Sequence, residues 1–194
     1  MPAPAPARVR LRAAAALLLL CGPAGGVAAQ PAEPPITGKD FAGVAFPIAP
    51  VGGSIRLVAR RAWSWGEGDG TTRLVLEGDV RVEIAGNAFQ ASRAAVWMRR
   101  LDSSARWQVF AYLEDVRTPM GEAGTSVRAA ALPVRGVVDA SDVALRVDLL
   151  EPSAPARGEP AQVALRGEAA LREALREAAG LPAVKAEAVV PSIA

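Results

Sequence analysis

The chain contains no histidine and a single cysteine, Cys21. Ser-His-Asp triads, Cys-His pairs and Cys/His zinc centres are therefore excluded outright. What remains for chemistry is carboxylates and guanidinium groups, and both recur at intervals. Asp79 and Asp115 each open an Asp-Val-Arg triplet, 36 residues apart. Arg61, Arg93 and Arg128 each occupy the third position of a small-x-Arg-Ala tag at 59–62, 91–94 and 126–129, spaced by 32 and 35 residues. Repeated carboxylates could hold calcium or act as an acid/base pair. Repeated arginines at a cleft mouth could meet phosphate groups. Each has a plainer reading, because most acids alternate with arginines along the same strands. That pattern describes a solvated, ion-paired sheet face, and it makes a carboxylate enzyme such as a glycosidase the weakest of the functional classes. No metal and no cofactor is expected.

The segments that carry these tags read as β-strands. Arg73–Ile84 alternates without interruption: Leu74, Leu76, Val80, Val82 and Ile84 share one face, and Arg73, Glu77, Asp79, Arg81 and Glu83 share the other. Period-2 alternation of this kind predicts one buried and one wet face. Gly86-Asn87 predicts a tight hairpin turn, followed by a return strand over 88–99 that contains Phe89 and Trp97. Within 54–65, Ile55, Leu57, Ala59, Trp63 and Trp65 share a parity that Arg61 interrupts. Trp107–Arg117 is apolar on both parities, as in a strand covered on both faces. Strands over 125–134 and 137–150 complete the run. Recurring strands without a helical pattern, carrying repeated tags, predict an all-β domain over residues 54–150, built from stacked antiparallel hairpins.

The flanks differ. Residues 1–29 hold three arginines, a short apolar run over 13–21 and a small-residue ending, which predicts a cleaved secretory signal. That apolar run is too short for a spanning helix; acylation of Cys21 is the alternative. The segment carries three arginines and no acid, so its removal takes the formal charge from +2 to −1. The basic balance thus belongs to the export signal and gives no support to a nucleic-acid partner. Residues 30–53 form a Pro/Gly/Ala-rich lead-in that either docks through Phe41, Val44 and Phe46 or stays loose. A linker over 151–160 leads to residues 161–194, a C-terminal helix and tail. The helix, over 167–179, has a Leu171, Leu175, Ala178 stripe and an i,i+4 Glu168–Arg172 pair, and is expected to cap the sheet or to bind a partner.

The stretch Leu74–Val96, an L-x-L-x-G-D-V-x-V strand, a glycine turn and then A-x-R-A-x-V, resembles the OstA-like module of lipopolysaccharide-transport proteins. The resemblance spans about residues 54–150. It departs in the second copy, where Glu114 replaces the glycine before Asp115. The resemblance implies a β-jellyroll folded like a taco, with acyl chains held in an apolar cleft between two sheets. It also implies a periplasmic location, outer-membrane association, and edge-to-edge self-association or joining to other envelope transport components. On this reading Leu74, Leu76, Val80, Val82, Ile84, Phe89 and Trp97 line the lipid cleft, and Arg61, Arg93 and Arg128 contact phosphate. The partner is lipopolysaccharide or another envelope lipid, carried without catalysis. The chain resembles the free-standing periplasmic component, or a shortened outer-membrane assembly protein. The competing expectation is a secreted structural β-domain, an envelope scaffold or adhesin with a closed core and no ligand.

Overall fold

The computed structural model describes residues 35–101, 105–117 and 128–182. The predicted signal segment and the tail beyond Pro182 lie outside them. Among the described residues the domain is all-β with a single C-terminal helix. Five strands follow in order: β1 (Val51–Trp65), β2 (Thr71–Ile84), β3 (Asn87–Leu101), β4 (Arg106–Arg117) and β5 (Arg128–Glu151). Each pairs antiparallel with the next. In a five-strand meander the first and last strands run the same way. Closure therefore has to be parallel, and β1 and β5 do pair in parallel to complete a barrel.

The closure is narrow. Val138 faces both Trp107 of β4 and Val51 of β1, and Asp139 faces both Arg106 and Gly52. Ala140 faces Gly53 and donates its N–H to the Ala105 carbonyl at 3.0 Å. Elsewhere β5 is bonded along one edge among the described residues, Arg128–Val137 to β4 and Asp142–Glu151 to β1. The two strands expected over 125–134 and 137–150 are thus one, which serves both ends of the sheet in turn. Pro133 sits in the one-edged first half, where a missing N–H costs least.

Each strand is also interrupted at one level, and on all but β2 the interruption changes the parity of the inward positions. The interior positions jump from Ala59 to Ala62, from Ala91 to Ala94 and from Leu113 to Val116, with two residues between them that leave the core. On β2 the jump runs from Leu76 to Val80 across a bulge at Gly78-Asp79, both at positive φ. Asp115 on β4 has positive φ as well. The levels coincide, since Arg61, Glu77, Arg93, Glu114 and Ala131 face one another in sequence across the five strands. A bulge sharpens local twist and bends a strand. Five aligned breaks therefore form a corner at which the sheet folds over its own apolar face. The Arg61 interruption in the β1 pattern is this corner, and beyond it Trp63 points away from the interior.

The hairpin turn lies one residue earlier than the sequence suggests. Ala85 and Gly86 have φ of 50° and 83°, and Ile84 faces Asn87. Positive φ at both central residues gives the primed turn whose twist matches the flanking strands.

A second apolar layer covers the outside of the barrel. Helix α1 (Gly158–Ala178) begins inside the expected linker, with Pro160 in its first turn, where the absent N–H is no loss. It ends where Gly180, at φ 70°, returns its N–H to the Glu177 carbonyl. Val163, Leu171 and Leu175 pack on Val75, Ala95, Trp97 and Phe110 together with Phe41 and Phe46 of the lead-in. The lead-in therefore docks. It is held by Trp97 Nε1–H to the Lys39 carbonyl (3.2 Å), and by Gln108, which accepts from Phe46 N–H (3.2 Å) and donates to the Val44 carbonyl (2.9 Å). Arg73, expected on the wet face, is only 2% exposed beneath this layer. Its guanidinium donates to the Lys39 carbonyl (2.6 Å) and meets Asp69 in a paired contact (2.8 and 3.2 Å). Arg172, which acts electrostatically on Glu168, also donates to the Thr37 carbonyl at 2.8 Å.

Candidate functional site: the barrel interior and the charged corner

Of the seven residues expected to line a cleft, five lie inside the barrel. Leu74, Leu76, Val80, Val82 and Ile84 are each at most 5% exposed and belong to one cluster with Ile55, Leu57, Val96, Val109 and Leu113. β2 places them there because its inward positions stay even-numbered across the bulge. Phe89 packs against the same cluster but stays half-buried, as do Ala129, Leu132 and Val134 of β5. Trp97 is not an interior residue. The corner between Ala91 and Ala94 puts odd-numbered positions of β3 outside, so Trp97 packs under α1, edge-on to Phe110 at 5.9 Å.

The three tagged arginines separate in the same way. Arg61 and Arg93 sit on the corner and are engaged there. Arg61 approaches Glu151 at 3.7 Å and stacks over Trp63. Arg93 contacts Glu114 at 3.2 Å and Glu159 at 3.6 Å. Glu114 also receives Arg166 of the helix at 2.7 Å, and Arg166 reaches on to Glu159 at 2.6 Å. The hydrogen bond from Arg166 holds the Glu159 carboxyl below the ordinary range, and the bonds to Glu114 and Glu159 raise the guanidinium of Arg166. This network ties the helix to the corner and leaves Arg61 and Arg93 committed to protein carboxylates. Arg128 is different. The break on β5 falls between Ala129 and Leu132, three residues past the third tag, so Arg128 lies beside the corner and makes no ion pair among the described residues.

Asp79 and Asp115 also belong to the corner. Asp79 pairs with Arg60, and Asp115 accepts from Ser92 Oγ at 2.8 Å. Both are exposed, and among the described residues no group of three or more potential ligands could hold a metal ion. Their distinguishing feature is backbone shape. Aspartate is one of the few side chains tolerant of the left-handed region, and the strand can kink there without a glycine. Both line a surface groove of about 670 Å³ together with Val58, Arg81, Gln90, Ser92 and Arg117. Arg81 and Arg117 are the third residues of the two Asp-Val-Arg tags, so the repeat itself is the sequence signal that marks them.

No helix among the described residues is long and apolar enough to cross a membrane. No protein-family model matches the chain, and no curated protein or solved structure matches it either.

Proposed function

We propose that this chain is a periplasmic lipid-binding module of the lipopolysaccharide-export type, holding acyl chains against the interior face of the folded sheet. One observation carries the reading. The apolar interior runs out to half-buried Leu132 and Val134, on the part of β5 that, among the described residues, is hydrogen-bonded along one edge. That wall stays laddered to β4, but its other edge can move outward without breaking a ladder of backbone bonds. A buried chain gains roughly 0.8 kcal/mol per methylene, so a twelve-carbon acyl chain gains about 10 kcal/mol before ordering costs. This suffices for carriage without covalent chemistry. The second half of β5 supports the assembly part of the reading, since one of its edges is unpaired among the described residues and it carries exposed Val143, Leu145 and Leu149. Such an edge templates another strand, from a second copy or from another envelope component.

The burial of Leu74, Leu76, Val80, Val82 and Ile84 favours a second reading, a structural domain with a closed core. Mass spectrometry of organic extracts from protein purified through the export route separates the two, together with titration of delipidated protein by a fluorescent fatty acid. A lipid carrier yields stoichiometric acyl species, and Leu132→Asp at the half-buried rim abolishes uptake while the circular dichroism is retained. A lipid-free protein whose core excludes the probe would overturn the proposal in favour of the structural domain.

A further inference from the structure

The strand pairings place four arginines in one line across the barrel. Arg146 of β5 faces Val58 of β1, which faces Arg81 of β2. Arg81 faces Gln90 of β3, Gln90 faces Arg117 of β4, and Arg117 faces Arg128 at the start of β5. The row contains no carboxylate. All four arginines are exposed, and none forms an ion pair or side-chain hydrogen bond among the described residues. The remaining arginines near the corner behave otherwise: Arg60, Arg61 and Arg93 all meet carboxylates.

Like charges directly opposite on neighbouring strands destabilise a sheet, and Arg117 and Arg128 are such a pair. Neighbouring strands lie roughly 4.8 Å apart, so Arg81 and Arg117 stand about 10 Å apart at the backbone with Gln90 between them. Side chains of that reach can converge on one group above Gln90. The groove at this position, about 670 Å³, is lined by Arg81, Gln90, Ser92 and Arg117, and also by Asp79 and Asp115. These two acids, and Glu83 beside the row, already face arginines: Asp79 pairs with Arg60, Asp115 lies 4.0 Å from Arg93 and accepts from Ser92 Oγ, and Glu83 lies 3.8 Å from Arg56.

We propose that this outer groove is an anion site for a phosphate group, gripped by Arg81 and Arg117 and supported by Arg128 and Gln90. Planar guanidinium forks match tetrahedral phosphate oxygens in bidentate fashion. The site lies outside the barrel, so it does not depend on lipid entering the interior. The phosphate is carried either by a lipid headgroup or by a soluble phosphorylated sugar.

The test is titration of the full chain, at low and high salt, with inorganic phosphate, glucose 1-phosphate, and phosphatidylcholine vesicles with or without phosphatidic acid. Saturable, salt-sensitive phosphate binding is expected, weakened roughly tenfold by R81Q or R117Q and less by R117K, which keeps the charge and loses the fork. R157Q, at an exposed arginine remote from the row in sequence, leaves it unchanged. Preference for phosphatidic acid vesicles identifies a headgroup, and preference for glucose 1-phosphate identifies a soluble ligand. Thermal melts verify that the variants are folded. Absence of phosphate binding in every arm, or binding that survives R81Q and R117Q together in folded protein, would overturn the assignment.

Discussion

At Gly167 helix α1 packs directly against the sheet, and replacing this residue by alanine sets two effects of opposite sign against each other. In a helix interior, alanine is better than glycine by about 1 kcal/mol. At this position, however, an added Cβ would lie 2.6 Å from Trp97 Cη2 and 2.8 Å from Ala95 Cβ. Neither neighbour can give way easily. Trp97 is buried, packed edge-on to Phe110 and hydrogen-bonded to the Lys39 carbonyl, and Ala95 is fixed to its strand. Overpacking of such a site costs roughly 1–3 kcal/mol. With two contacts this short the cost falls in the upper part of that range, so Gly167→Ala should lose about 1–2 kcal/mol net. Urea denaturation measures the loss, and Ala169→Gly on the exposed face of the same helix calibrates the propensity term. The Trp97 indole N–H resonance should shift as the helix is displaced. Trp97→Leu should make Gly167→Ala much less costly, exposing the coupling in a double-mutant cycle. If Gly167→Ala instead raises stability by the calibrated propensity difference and the indole resonance stays in place, the close packing inferred here is wrong.

Two further outcomes follow from the corner and the lead-in. Asp115→Ala should cost about 1 kcal/mol, because alanine at a φ of 53° is strained where aspartate is tolerated; Asp115→Asn should cost much less. Equal urea midpoints for the two variants would remove backbone shape as the role of that residue. At Asp69, burial raises the carboxyl, but hydrogen bonds from Arg73 and the Thr71 N–H outweigh it and hold the pKa below the ordinary 3.8. A depressed acid contributes stability above its unfolded pKa and loses it as pH falls through the folded value. Lead-in docking should therefore weaken below about pH 4, seen as loss of the Trp97 indole hydrogen bond. Asp69→Asn should cost about 1 kcal/mol at neutral pH, discounted for partial exposure, and should flatten that acid limb. An unchanged limb would count against the Arg73–Asp69 contact.

Much of the β domain was legible because alternation is a local property. The inward face of β2, Leu74 through Ile84, follows from period 2 alone, and a bulge that spans Leu76 to Val80 leaves that parity intact. The repeated tags were legible as repeats but not as geometry. Ala59–Ala62 and Ala91–Ala94 mark a corner where two outward residues separate two inward ones, whereas on β5 the corner lies between Ala129 and Leu132, past Arg128. Sequence equivalence therefore grouped Arg61, Arg93 and Arg128, while the register separates them and groups Arg81, Arg117, Arg128 and Arg146 instead.

The sequence by itself determined the strand-forming segments, the face of β2 that must be buried, the helix near the C-terminus and the absence of Cys/His chemistry after residue 21. It did so because alternation, capping and composition act over a few neighbouring residues. Only the tertiary structure decided which wet-face residues stay wet. Arg73 and Trp97 disappear beneath a helix and a lead-in that are remote in sequence, while Arg81 and Arg117 remain open. Covering is set by where distant segments pack, and no periodicity within a strand encodes it. The same holds for β5, whose 24 residues bond first to β4 and then to β1 because a five-strand meander can close only in parallel.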